Sequence, residues 1–233
     1  MLISKRKCKE YFEVNVTEEG IMKKLKLKKS IKVLGVYLDD ELNWTRHVNE
    51  VNKKARNATR NLQRINRILP LKSNILLYNS LVASHFNYAD TVWSGCNQNS
   101  KNKLQRTQNC AIKSILGMKR REPSEKALKA ANLLTLEEKR KVHEAVYTHK
   151  ALSGKLPKAI TEEYQQYTST MNNRSAERKI LSIPKHKTEN YKNSPLYRTI
   201  KTWNNTPDIL KKNTDTTIFK QNYQKYLHTL NKN

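Results

Sequence analysis

From Trp44 onward apolar and polar positions alternate with a helical period. Trp44, Val48, Val51, Ala55, Ala58, Leu62, Ile65 and Leu69 follow one another at spacings of 4, 3, 4, 3, 4, 3 and 4. Eight apolar positions in heptad register predict one long helix, which Pro70 stops because proline lacks the amide that would continue the ladder. A second helix is predicted over 73–86, with Ile75, Leu76, Leu77, Leu81, Val82 and Phe86 as its buried face, followed by an aromatic stretch ending at Trp93. The short connection makes these two an antiparallel pair. A third helix spans 100–116 with Leu104, Ala111, Ile112, Ile115 and Leu116 inward, and Gly117 stands where a left-handed cap belongs. A short segment begins near Pro123. Thr135 with Glu138 then forms a capping box ahead of Leu136, Val142, Val146 and Leu152, closed by Gly154.

The two ends of the chain follow other patterns. Residues 1–4, 11–16 and 32–38 are short β-branched or aromatic stretches in partial alternation, and Glu19-Gly20 offers a turn between the second and third, which predicts a small sheet or hairpin. Residues 161–192 are rich in Asn, Ser, Thr, Lys and Glu, with one apolar cluster at Ile180, Leu181 and Ile183. They read as a long polar connection carrying one short strand. Helical patterns return over 194–203 and 217–230, the latter through Phe219, Tyr223, Tyr226, Leu227 and Leu230. The expected fold is mainly α. A small N-terminal β element (1–40) leads into a helical bundle (41–155) and a C-terminal helical extension joined by a basic connection (156–233).

Composition supports this and adds a partner. With 36% hydrophobic residues and five glycines in 233, helices are favoured over a glycine-punctuated sheet. Lys and Arg total 46 against 20 acids, a net charge of +26 that goes well beyond what solubility requires and points to a polyanion. No run of 18 apolar residues and no secretory signal pattern is present, so no membrane partner and an intracellular site are expected. Cys8, Cys96 and Cys110 are odd in number and widely spaced, and the six histidines are scattered, so no metal ligands are assigned.

Charge is concentrated. Between Asn43 and Arg121 there are 15 basic residues and two acids, Glu50 and Asp90. Arg46, Lys53, Arg60 and Arg67 recur every seven residues opposite the apolar seam, with Arg56 and Arg64 in the same arc. A solvated helix face normally mixes in acids; their near absence favours a stripe that grips a phosphate backbone, which gives affinity without sequence information. Arg106, Lys119, Arg120, Arg121 and Arg174 extend the candidate set, and Arg178, Lys179, Lys185, Lys187, Tyr191 and Lys192 form a second basic stretch. Trp44, Tyr88, Trp93 and Trp203 are explained by core packing at least as well as by base stacking.

Tyr37-Leu38-Asp39-Asp40 imitates the metal turn of an RNA-copying polymerase, yet no aspartate precedes it. Two magnesium ions about 3.5–4 Å apart need carboxylates from separated segments, so this pair alone builds no clamp and no catalytic residue is assigned. It reads instead as a polar turn and helix cap. Asn87-Tyr88-Ala89-Asp90 is a second imitation, placed at the end of a helix.

Val33-Leu34-Gly35-Val36-Tyr37-Leu38-Asp39, then Leu42, Trp44 and His47, resemble the segment after the palm in reverse transcriptases of non-LTR retrotransposons, above all the jockey-like group. Leu77-Tyr78-Asn79-Ser80-Leu81-Val82, His85-Phe86-Asn87-Tyr88, Val92-Trp93, Leu104-Gln105-Arg106 and Ile115-Leu116-Gly117 are similar to the thumb region of that family and the helices after it. Leu136 with Glu138, Arg140 and His143, then Arg174-Ser175, Pro184, Trp203-Asn204, Pro207 and Phe219-Lys220 resemble its C-terminal region.

The resemblance implies that the fingers, the palm with its magnesium-binding aspartates, and an endonuclease lie upstream of the matched portion. It implies a thumb that holds a template/primer hybrid of RNA and DNA and works with that palm, without polymerising alone. The chain itself is expected to carry no cofactor. A nuclear or cytoplasmic site follows, with Lys5-Arg6-Lys7 and Lys119-Arg120-Arg121 as basic clusters. Two other readings stand beside it: an active RNA-directed DNA polymerase using Asp39 and Asp40, and a non-enzymatic basic helical adaptor.

Overall fold

The computed structural model describes residues 14–18, 21–25, 28–66, 68–168 and 179–230. Strands β1 (Val14–Glu18) and β2 (Ile21–Leu25) pair antiparallel, Val14 opposite Leu25 and Glu18 opposite Ile21. A second antiparallel pair, β3 (Ser30–Val33) and β4 (Val36–Asp39), occupies the stretch 32–38 that reads from sequence as a single strand. The turn is hidden in an apolar run. Leu34 and Gly35 sit at φ 45° and 84°, the positive angles that a tight primed hairpin turn requires at both central positions. Only Gly35 announces it, because leucine is not a turn residue.

Helix α1 (Thr45–Ile65) follows, with Val48, Val51, Ala55 and Leu62 buried as the heptad pattern requires. It ends four residues before the predicted stop. Asn66 closes it: its side-chain amide donates to the Ser114 carbonyl at 2.8 Å, while its own carbonyl accepts from Asn74 Nδ2 at 2.8 Å. These ties turn the chain early, so Ile65 and Ile68 are exposed and Leu69 lies outside the helix.

The predicted second helix is one helical run with a change of pitch inside it. Helix α2 (Leu71–Leu77) passes into a π-helical segment (Tyr78–Ala83) and then α3 (Ser84–Asn87). The wider turn rotates the register, so Tyr78, Val82, Ala83 and Phe86 face the core, whereas Leu76 and Leu81, expected inward, are exposed. Ala89 at φ 50° breaks the run before the single turn α4 (Asp90–Trp93). Fully buried Trp93 donates its indole N–H to the Tyr88 carbonyl at 2.8 Å.

Helix α5 (Gln98–Ile115) is capped by Asn97, whose side chain accepts from Ser100 N at 2.8 Å, and its buried face is the one expected. Gly117 takes φ +66° behind it. After α6 (Ser124–Ala130), α7 (Leu136–Leu152) opens on the predicted capping box of Thr135 and Glu138.

Among the described residues of the polar connection there is more order than the sequence suggests. Helix α8 (Lys158–Gln165) lies across the point where the connection was expected to begin, anchored by buried Tyr164. Leu181 pairs with Thr168 in one isolated bridge. The one-turn α9 (Glu189–Lys192) leads to α10 (Pro195–Asn204), one-turn α11 (Asp208–Lys211) and α12 (Thr216–Leu230). On α12 Phe219, Tyr223 and Leu227 are buried at spacings of four, while Leu230 is exposed.

Two hydrophobic clusters result. One joins β4, α1, the π segment, α4, α5 and α6, and the other joins α7, α8, α10 and α12 around Trp203, Phe219 and Tyr164. They meet at Leu134 and Leu136. Polar contacts also cross between them. His143 Nδ1 lies 2.6 Å from Asp90 Oδ2, and Glu144 accepts from Ser94, Arg198 and Thr202. The architecture is mainly α with small N-terminal β pairs. No helix among the described residues is long and apolar enough to cross a membrane.

Candidate nucleic-acid interface

Helices α1 and α5 pack side by side, and a groove of about 360 Å³ runs along their junction. One wall comes from α1, where Asn52, Arg56, Thr59 and Gln63 fall at spacings of 4, 3 and 4 and therefore share a face, with Arg60 beside them. The opposite wall comes from α5, where Lys103, Arg106 and Cys110 are spaced by 3 and 4. Arg120 closes one end. Its loop is folded onto the helix, since Lys113 Nζ donates to the Arg120 carbonyl at 3.2 Å and Glu122 accepts from Lys119 N at 2.7 Å.

The floor of this groove is polar and organised. Thr107 Oγ1 donates to Asn52 Oδ1 at 2.6 Å, which fixes that amide and leaves its Nδ2 as a donor. Thr59 spends its hydroxyl on the Ala55 carbonyl at 2.8 Å. Lys103 Nζ reaches across to Asn49 Oδ1 at 2.7 Å, so its position is set by both helices. Arg56, Arg60, Lys103, Arg106 and Arg120 are all exposed, and no acidic residue lines the groove. Five cations on two walls over neutral donors form a surface matched to a polyanionic backbone.

The predicted set is thereby divided. Arg56, Arg60, Arg106 and Arg120 come together in the groove. Lys53 and Arg64 are exposed on α1 but do not line it, and Lys119 and Arg121 stand on the loop outside it. Arg46 is held elsewhere: its guanidinium lies 4.7 Å from the centre of the Tyr37 ring and donates to Ser30 Oγ, which ties α1 to the β3–β4 pair. Arg67 and Arg174 lie outside the described residues, as do Arg178 and Cys8. Sequence reading missed Lys103, Asn52, Gln63 and Thr107. Their signal was the matching stripe on α5, legible only once α5 is known to face α1.

The aromatics are in the cores. Trp44, Trp93 and Trp203 are buried, and half-exposed Tyr88 donates its hydroxyl to the Leu34 carbonyl at 2.6 Å.

Asp39 is a buried structural carboxylate. Its two oxygens accept from the backbone N–H groups of Asn43 and Trp44, each at 2.8 Å. It therefore anchors the loop leading to α1; the helix cap expected of it is supplied one step later, where Asn43 Oδ1 accepts from Thr45 N at 2.9 Å. Asp90, in the second imitation of a metal turn, begins α4 and faces His143. Among the described residues no group of three or more His, Cys, Asp or Glu side chains gathers at metal-binding distance.

Two histidines near the α1 end have lowered pKa values. Burial is the main cause for both His47 and His85, with the Lys54 charge adding to it. His47 Nδ1 accepts from Tyr37 N at 3.4 Å, and its ring meets Trp93 edge-on at 5.2 Å.

Comparison with protein-family models, curated proteins and solved structures returned no match.

Proposed function

We propose that this chain is the nucleic-acid-gripping C-terminal portion of a jockey-like non-LTR reverse transcriptase, holding a template/primer hybrid of RNA and DNA through phosphate contacts. The observation that carries this reading is the acid-free groove between α1 and α5, with cations on both walls. The motif resemblance along the chain supplies the family. In this reading magnesium and the joining of nucleotides belong to an upstream palm, and the chain acts in the nucleus or the cytoplasm. The hydrogen bonds that occupy both Asp39 oxygens favour it over polymerisation at Asp39 and Asp40.

The groove makes a sharper test than the seven-residue stripe. Arg56, Arg60 and Arg106 changed together to Glu should weaken binding of an RNA/DNA hybrid of any sequence, measured by filter binding at fixed salt. Changing the outward Lys53 and Arg64 to Glu should weaken it far less. Equal losses from the two sets would reject the groove as the gripping surface. Comparable binding of heparin, acidic peptide and hybrid would instead favour a basic adaptor.

A further inference from the structure

A second cavity, of about 230 Å³, lies where α5, α7 and α10 converge, away from the α1–α5 groove. Arg140 of α7 lines it and is buried, with 7% of its surface exposed. One face of its guanidinium lies over the Trp93 ring at 4.9 Å. Its Nη2 is buried without a hydrogen-bond partner, and among the described residues Arg140 forms no ion pair. Leaving a buried guanidinium nitrogen unpaired is costly, so such a group calls for an acceptor. Asp90 and Glu144 act on Arg140 electrostatically, but neither accepts a hydrogen bond from it.

The carboxylates that line this cavity are already committed. Glu144 is held by Arg198 Nε at 3.0 Å and by the hydroxyls of Ser94 and Thr202 at 3.1 and 2.7 Å. Glu137 pairs with Lys141 at 3.5 Å. Lys101 and Lys201 make no ion pair among the described residues, so with Arg140 three cations face one small space without a counter-charge. Gly95 belongs to the same construction: a Cβ there would lie 2.4 Å from Arg198 Nη1, so only glycine lets that arginine reach Glu144.

We infer that this junction is a binding site for a phosphate-type oxyanion, held by Arg140 with Lys101 and Lys201. A planar guanidinium fixed over an indole, flanked by two mobile ammonium groups, suits a compact anion with several acceptor oxygens. The phosphate could be the free ion or the terminal phosphate of a nucleic-acid strand, and both present the same oxygens.

The test uses the full chain and inorganic phosphate, titrated by calorimetry. Saturable binding is expected, and changing Lys101 and Lys201 together to Gln, both away from the core clusters, should weaken it about tenfold, the loss of roughly one charge-assisted contact. Arg140→Gln, where it folds by circular dichroism, should abolish it. The groove variant with Arg56, Arg60 and Arg106 changed to Glu should bind phosphate as the parent does, which separates this site from the proposed grip. In that same background, an oligonucleotide bearing a 5′-phosphate should be compared with its 5′-hydroxyl form. Preference for the phosphorylated form that disappears in the lysine variant identifies a strand end as the ligand, and equal binding identifies the free ion. Absence of saturable phosphate binding, or unchanged binding in the Lys101/Lys201 variant, overturns the site.

Discussion

The hydroxyl of Tyr88 donates to the carbonyl of Leu34 across 2.6 Å and pins the β3–β4 turn to the end of the α2–α3 run. The same ring limits the neighbouring position, since a Cβ on Gly35 would stand 3.3 Å from Tyr88 Cε1 at a φ of +84°. Tyr88→Phe should therefore cost about 1 kcal/mol, the usual net value of one hydrogen bond. Gly35→Ala should cost more, about 1–2 kcal/mol, because a left-handed backbone and a tight contact act together. Thermal denaturation of the two variants beside the parent checks the order.

Asp39 makes a separate prediction, because its two oxygens serve two backbone amides. Asp39→Ala should lower stability by about 2 kcal/mol through the loss of charge-assisted bonds that deliver Trp44 to the core. Urea unfolding with and without magnesium measures this. The account expects the same loss in both; stabilisation of the parent by magnesium that the variant lacks would show a metal ligand instead.

Acid should weaken the fold through the histidines. With a folded pKa below the ordinary 6.5, buried His47 resists a proton that the unfolded chain accepts. Its contribution is thus fully present above pH 6.5 and declines as pH falls below that value toward the folded pKa, and His85 acts in the same direction. Melting temperatures between pH 7.5 and 5 should fall in the parent and fall less steeply in His47→Gln. An equal slope in both would contradict the assignment.

Glu144 joins α4, α7 and α10 by accepting from three partners, so Glu144→Gln leaves Arg198 without its counter-charge. Breaking a buried pair on one side costs about 3 kcal/mol. Denaturant unfolding should show that loss, and a change below about 0.5 kcal/mol, the range of surface substitutions, would remove Glu144 from its structural role.

What the sequence could show was set by how local each signal is. The heptad seam of α1, the buried face of α5 and the Thr135–Glu138 capping box depend on residues within a few turns of one another, and they appear where the pattern puts them. The π segment was hidden because Leu76 and Leu81 fit an ordinary helical face, and only packing against α1 and α5 selects Tyr78 and Ala83 instead. The Leu34-Gly35 turn was masked by its own apolar neighbours, and α8 by a polar stretch in which Tyr164 alone is buried. In the candidate site the α1 arginines were legible as a stripe. Their division, with Arg56 and Arg60 inside the groove and Lys53 and Arg64 outside, required knowing on which side α5 lies.

The central claim is a grip on phosphates by the α1–α5 groove, and its most direct measurement is hybrid affinity across a salt series. With about four phosphates neutralised, the logarithm of the binding constant should fall with the logarithm of salt at a slope of about −4, and the Arg56/Arg60/Arg106 charge-reversal variant should lose most of that slope. A response flat in salt, or a slope that survives the triple change, would contradict it.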